Sequence, residues 1–245
     1  MQPAENKKPV LLLLHGALGA GSQFSFLIPH LEDFFEVHTY DFPGHGGKPF
    51  AEETLKLPIL TEHLLDHLSA FNLIGCHVFG YSMGSYAALW LEVAKPGVFS
   101  SILTLGTKFE WNKHSAEEEA KLISPDYLES KAPSFCEKLH ARHRPNDWKQ
   151  LATETGQLMH HLAGHALTAE HLGTIGCPVR LMTGDRDEMA GVIETHRRYS
   201  TLAKGSFHVL PETPHLLERV HPELLSEAIR QFIYRLNGIQ FEKTR

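Results

Sequence analysis

The stretch Val78–Leu91, VFGYSMGSYAALWL, decides how this chain folds. Leu73–Ile74 and His77–Val78–Phe79 make an apolar run that predicts a buried strand. Ala87, Ala88, Leu89 and Leu91 follow at helical spacing, so a helix begins almost at once. Between them Gly80-Tyr81-Ser82-Met83-Gly84 spells G-x-S-x-G, and a strand-to-helix turn is the setting that makes this motif a nucleophile elbow. Such a turn strains the serine and needs small residues on both sides, which Gly80 and Gly84 supply. It would hold the Ser82 hydroxyl above the sheet, with the Met83 N–H facing the same space at a helix N-terminus.

Working outward, Lys8–Leu14 (KPVLLLL) is continuously apolar, as a strand buried on both faces of a parallel sheet must be. It runs into the glycine-rich loop His15–Ser22, ahead of a predicted helix over Gln23–Leu31. The loop lacks both a Walker lysine and GxGxxG spacing, which argues against a nucleotide cradle. It reads instead as bringing a second backbone N–H, that of Ala17, opposite Met83. Phe35–Tyr40 alternates and predicts a strand ending in the turn cluster Asp41–Gly47, and Leu57–Phe71 is an amphipathic helix. Beyond the elbow helix, which stops at Lys95-Pro96-Gly97, Ser100–Leu105, Pro178–Thr183 and Ser206–Leu210 predict three more strands. Helices are predicted over Val192–Leu202 and Pro222–Leu236. The alternation implies an α/β, doubly wound, mostly parallel sheet of about six or more strands.

From about Lys108 to Thr174 strand signals vanish. Ser115 precedes three glutamates, Ser124 precedes Pro125, and Asn146-Asp147 opens a segment through Met159, so each marks a helix start. An all-helical insertion after the strand at 100–105 reads as a cap over the strand ends, where open α/β sheets place their sites. The division is then a core of 1–107 and 175–245 and a cap of 108–174. Phe109, Trp111, Tyr127, Phe135, His140, His143 and Trp148 are scattered through the cap, and packing onto the core is the simpler role for any one of them.

A formal charge of −6 leaves no basic footprint for nucleic acid. Met1–Pro9 is polar and the apolar run Val10–Leu14 is too short for a signal peptide or a membrane span. Cys76, Cys136 and Cys177 are odd in number and far apart, which speaks for a reducing, cytoplasmic setting rather than a disulfide framework. The densest histidine cluster, His160, His161 and His165, has no HExxH spacing and no completing ligand, so polar or pocket-lining roles are the expectation rather than a metal site.

A serine near neutral pH needs a base, and the base an orienting acid. The chain offers both in loops after its last two predicted strands, in the order Ser, Asp, His. Through HGALG, DFPGHG, GYSMG, GDRD and PETPH it resembles the α/β-hydrolase fold superfamily over nearly its whole length. The resemblance implies Ser82 as nucleophile, His215 as general base and Asp187 as acid, with Ala17 and Met83 N–H as the oxyanion hole. Asp185 is the alternative acid by motif position. His208 falls inside a strand and His221 opens the last helix, so neither stands where the base must. His15 and His45 resemble family loop residues with positioning roles. The implied reaction is cofactor-free hydrolysis of a small or medium ester, carboxylesterase-like, with a small-molecule substrate and neither nucleic acid nor membrane as partner. The motifs are also similar to those of the menaquinone-pathway lyase, which generally continues GYSMGGR where this chain has Ser85-Tyr86. Carbon–carbon bond hydrolases and receptors on the same fold are the further alternatives.

Overall fold

The computed structural model describes residues 8–238, so most of the polar Met1–Pro9 segment lies outside the described residues. Six strands form one parallel sheet in the order β2-β1-β3-β4-β5-β6: β1 Val10–Leu14, β2 Glu36–Tyr40, β3 His77–Tyr81, β4 Ser101–Leu105, β5 Val179–Arg186 and β6 Gly205–Pro214. The doubly wound expectation holds. Successive β1 leucines serve opposite faces, Leu12 and Leu14 joining one apolar cluster and Leu11 and Leu13 the other, which is why β1 needs an unbroken apolar run.

The first face packs against α1 (Leu57–Ala70) and α2 (Met83–Ala94). The second packs against the turns at 21–30 and, at the C-terminal end, α9 (Pro222–Leu236). Between β4 and β5 the described residues hold helices and no strand: α3 Lys113–Leu122, α4 Pro125–Lys131, α5 Pro133–His143, α6 Trp148–Leu162 and α7 Ala169–Gly173. Their buried Leu128, Leu139, Trp148, Leu151, Leu158 and Leu162 belong to the same cluster as the first sheet face. α8 (Val192–Tyr199) lies between β5 and β6.

Three local expectations change. Gln23–Leu31 is not one helix but two 3₁₀ turns, Gly21–Phe26 and Ile28–His30, because Pro29 has no N–H to continue a helix and can only open one. Helix α3 begins two residues before Ser115, which sits at its third position. The cap is Asn112, whose Oδ1 accepts from Ser115 N–H at 3.0 Å while Ser115 Oγ accepts from Asn112 N–H at 3.0 Å. The third change concerns the ends of β5 and β6. Gly184-Asp185-Arg186 and Pro211–Pro214, both expected as loops, are extensions of the ladder, with a register shift between Gly184 and Arg186. Asp185 Oδ1 accepts from Thr213 N–H at 3.1 Å across the irregularity, and a Cβ on Gly184 would collide with the Thr213 backbone. Asp187 and His215 therefore each follow the last residue of a strand directly.

Candidate active site

Ser82 is the N-cap of α2, with φ 50 and ψ −113, a conformation that a non-glycine residue holds only when its surroundings impose it. The surroundings here are close. A Cβ on Gly84 would run into the carbonyls of Leu14 and His15, so α2 can approach β1 only with glycine at that position. Ser85 secures the turn from below: its fully buried Oγ donates to Gly80 C=O at 2.5 Å and accepts from Leu105 N–H at 3.3 Å.

His215 Nδ1 lies 2.8 Å from Asp187 Oδ2. The other carboxylate oxygen, Oδ1, accepts from Met189 N–H at 2.9 Å and Ala190 N–H at 2.8 Å. The Asp187 side chain is 2% exposed, so its orientation is fixed by these donors rather than shared with water. With Nδ1 donating to the carboxylate, His215 presents Nε2 as an acceptor. Tyr81 Oη donates to the His215 carbonyl at 2.8 Å and pins the loop behind the ring. Gly106 lies alongside the pair: a Cβ there would stand 3.1 Å from His215 Cε1 and 3.2 Å from Asp187 Oδ2.

Ser82, His215, Ala17 and Met83 all line one cavity of about 300 Å³. The Ala17 and Met83 N–H groups donate to nothing within the described residues. The Ser82 hydroxyl makes no hydrogen bond to another described residue. The remaining walls are largely apolar, from Leu57 of α1 and from Leu122, Ile123, Leu128, Phe135, Leu158, Met159 and Leu162 of the helical insertion. Lys108 is the charged side chain on the wall, and its Nζ is 2.6 Å from Glu119 Oε1 on α3. Of the insertion's scattered aromatics, Trp111 and Phe135 line the cavity whereas Phe109 and Trp148 are buried in the core cluster.

The other sequence candidates fall elsewhere. Asp185 is exposed and its carboxyl is held below the usual carboxylate range by backbone N–H donors, Glu212 first. His208 pairs with Met182 in the sheet and His221 caps α9, and neither lines the cavity. His15 and His45 are fully buried beside it. His15 Nδ1 donates to Gly16 C=O at 2.8 Å while Nε2 accepts from Phe42 N–H at 3.2 Å, which fixes a neutral ring; burial holds its pKa down at about 4. His45 donates from Nδ1 to Pro43 C=O at 3.0 Å and burial pushes its pKa well below the ordinary value.

The third member of this group is His143 at the end of α5, singled out by the sequence only as one of several scattered histidines. Its ring is fully buried, accepts from Gly46 N–H at 3.0 Å and donates to Leu18 C=O at 3.1 Å, and burial holds its pKa at about 4. Ser85, Gly106 and His143 carry no spacing signal of their own. Among the described residues no group of three or more His, Cys, Asp or Glu is arranged to hold a metal ion, and His161 and His165 instead stack with ring centres 4.1 Å apart. No helix among the described residues is long and apolar enough to cross a membrane.

An elbow serine, a carboxylate–histidine pair and an apolar cavity at the C-terminal ends of parallel strands define a hydrolase of the α/β class. The chain belongs to the alpha/beta hydrolase family, whose model matches residues 11–228. Among curated proteins it is similar to 3-oxoadipate enol-lactonase 1 of Acinetobacter baylyi, 26% identical over 83% of this chain and 80% of that one. It is also similar to a pimeloyl-[acyl-carrier protein] methyl ester esterase of Methylococcus capsulatus, 27% identical over 92% of this chain and 94% of that one. Among solved structures, a thermophilic esterase from Thermogutta terrifontis superposes with a TM-score of 0.77, covering 94% of this chain and 91% of that one at 18% identity, a likeness of fold.

Proposed function

We propose that this protein is a serine hydrolase that cleaves small or medium ester-like substrates through an acyl-enzyme, with Ser82, His215 and Asp187 as its triad and the cap helices over the site. The observation that carries the reading is the 2.8 Å His215–Asp187 pair on the same cavity as a serine held at φ 50. Ser82 Oγ attacks the ester carbonyl and passes its proton to His215 Nε2. The negative charge on the carbonyl oxygen is met by the N–H groups of Ala17 and Met83, the latter at the N-terminus of α2. Asp187 orients the ring and stabilises the imidazolium, which then protonates the departing alkoxide. Water, deprotonated by the same Nε2, attacks the acyl-enzyme and restores the serine.

The apolar wall favours an aliphatic or aromatic acyl group over a highly charged one, since burying an unpaired charge there is costly. The lyase alternative is weakened at Tyr86. That position, an arginine in the similar lyases, here holds a buried phenol whose oxygen accepts from Leu167 N–H at 2.5 Å.

Hydrolysis of a p-nitrophenyl ester series from acetyl to long acyl chains, by wild type and Ser82→Ala, tests the proposal. Turnover that is abolished in Ser82→Ala is the expected result, and the chain-length optimum sizes the cavity. A folded wild type that labels at Ser82 with a fluorophosphonate yet turns over no ester would overturn the esterase reading in favour of the lyase, carbon–carbon hydrolase or receptor.

A further inference from the structure

The loop that carries Ala17 is a four-residue turn, closed by Gly19 N–H donating to Gly16 C=O at 3.0 Å, with Ala17 and Leu18 at its corners. Leu18 has φ 54, and Ala17 is not among the positive-φ residues, so the second corner alone is left-handed. That combination belongs to a type II turn, which normally wants glycine at the second corner. With a right-handed second corner the turn would become type I, turning over the Ala17–Leu18 peptide, with its Leu18 N–H, and moving the Leu18 carbonyl. A leucine does not prefer the left-handed choice, so something outside the turn holds it.

Two donors from the end of α5 do so. Arg142 Nη1 donates to the Leu18 carbonyl at 2.9 Å and His143 Nε2 donates to the same oxygen at 3.1 Å. The joint that carries them is itself anchored. His143 Nδ1 accepts from Gly46 N–H, and Asn146 Nδ2 donates to Gly44 C=O at 3.1 Å and Lys48 C=O at 2.6 Å. Arg142 also reaches the other half of the site. Its Nη2 lies 3.3 Å from Glu218 Oε1, three residues beyond His215, and Gln23 Nε2 donates to the same carboxylate oxygen at 2.6 Å.

We propose that Arg142 and His143 are positioning residues: by clamping the Leu18 carbonyl they fix where the Gly16–Gly19 turn stands, and with it the Ala17 N–H at the cavity wall, so that the helical insertion sets the oxyanion hole. The proposal rests on Ala17 N–H being an oxyanion donor, as in the function proposed above. Arg142 and His143 do not line the cavity, which separates this role from substrate binding.

The test compares kcat and KM of Arg142→Leu, Arg142→Lys, His143→Leu, His143→Gln and Glu218→Gln on the best ester, alongside the rate of Ser82 fluorophosphonylation, in proteins whose near-ultraviolet circular dichroism matches wild type. Loss of one oxyanion donor costs about 10²–10³ in kcat, and a loosened donor costs less, so Arg142→Leu and His143→Leu should lose roughly ten- to a hundredfold in kcat with KM little changed and phosphonylation slowed in parallel. His143→Gln keeps one donor and one acceptor and should recover most of the loss. Should the leucine variants fail to fold, the milder Arg142→Lys and Glu218→Gln, the latter at a half-exposed carboxylate, carry the same expectation at smaller size. Folded variants with wild-type kcat, or with KM alone raised, overturn the clamp while leaving the serine mechanism intact. A wild type inert to both esters and fluorophosphonate overturns the mechanism and the clamp together.

Discussion

The buried histidines next to the site make stability depend on pH in a calculable way. His15 and His143 are neutral in the fold, each with both ring nitrogens engaged, and burial holds both at about 4 against an ordinary 6.5. The charges that face them partly cancel: Asp41, with Oδ1 3.8 Å from His15 Nε2, raises both values and Arg142 lowers both. As pH falls below 6.5 the unfolded chain takes up a proton at each site and the folded chain does not, until pH nears 4. Stability is therefore complete above about 6.5 and is lost progressively down to about 4. At about 1.4 kcal/mol for each pH unit that separates the two states, one such ring removes about 3 kcal/mol over the whole window. Two rings give a slope of about 2.7 kcal/mol per pH unit in mid-window. That compares with a total stability of about 5–15 kcal/mol for a typical domain, so the fold should weaken severely in mild acid.

Urea unfolding at steps from about pH 7.5 to 4.5 measures this slope. His45, His67, His77, His161 and His208 are also held low by burial and add in the same sense, so the decisive quantity is a difference between proteins. His143→Gln can keep the acceptor for Gly46 and the donor for Leu18 without a titrating ring. Its slope should be smaller than that of wild type by about one proton, about 1.4 kcal/mol per pH unit, near pH 5. Equal slopes in wild type and His143→Gln would refute the neutral, buried assignment of His143.

The two acidic residues of the GDRD turn should separate cleanly. Asp187→Asn removes the carboxylate that orients His215 and should lower kcat by about 10³–10⁴-fold with the fold retained, whereas Asp185→Asn should leave kcat within a few-fold, both read by ester hydrolysis at saturating substrate. Ser85→Ala leaves Gly80 C=O short of its buried donor and Leu105 N–H of its acceptor, so a loss of about 1–3 kcal/mol is expected in urea unfolding. A neutral Ser85→Ala would show that the elbow does not depend on that hydroxyl.

The sheet was legible because its signal is local and repeated. An unbroken apolar run such as LLLL has few places to go except a strand covered on both faces, and GxSxG fixes a strand before it and a helix after it. Ser82, Asp187 and His215 were picked out by the family resemblance of GYSMG, GDRD and PETPH, and the structure brings His215 and Asp187 to 2.8 Å. What escaped was set by contacts between distant segments. Nothing near PETP in the sequence says that it pairs with GDR, because the pairing depends on Gly184 yielding space to Thr213 and on Asp185 bonding across the shift. The Asn112 cap was missed for a subtler reason: Ser115 is a good capping type, but at the third position it serves the reciprocal half of the box. His143 could not be told from the other histidines, since its partners at Leu18 and Gly46 lie about a hundred residues away along the chain.

Those long-range contacts also say where the pocket can change and where it cannot. Several polar ties join the insertion to the core. Tyr86 holds Leu167 from the elbow helix itself, and Arg142 with His143 holds the Leu18 turn, so movement at either tie reaches the elbow helix or the turn that carries Ala17. Helices α3 and α4 bring Leu122, Ile123 and Leu128 to the cavity wall, and Glu119 of α3 pairs with Lys108 at the start of the insertion, both side chains no more than 15% exposed. Lys108 follows β4 by three residues and does not support the serine, the histidine–aspartate pair or the turn that carries Ala17. Apolar residues on α3 and α4 can therefore be exchanged for larger or smaller ones to alter substrate size while the elbow stays as it is. The same exchange near the end of α5 would disturb the Leu18 clamp together with the wall. On the proposed function, exchanges on α3 and α4 should therefore shift the acyl-chain optimum in the p-nitrophenyl ester series with kcat little changed, whereas exchanges near the end of α5 should lower kcat as well.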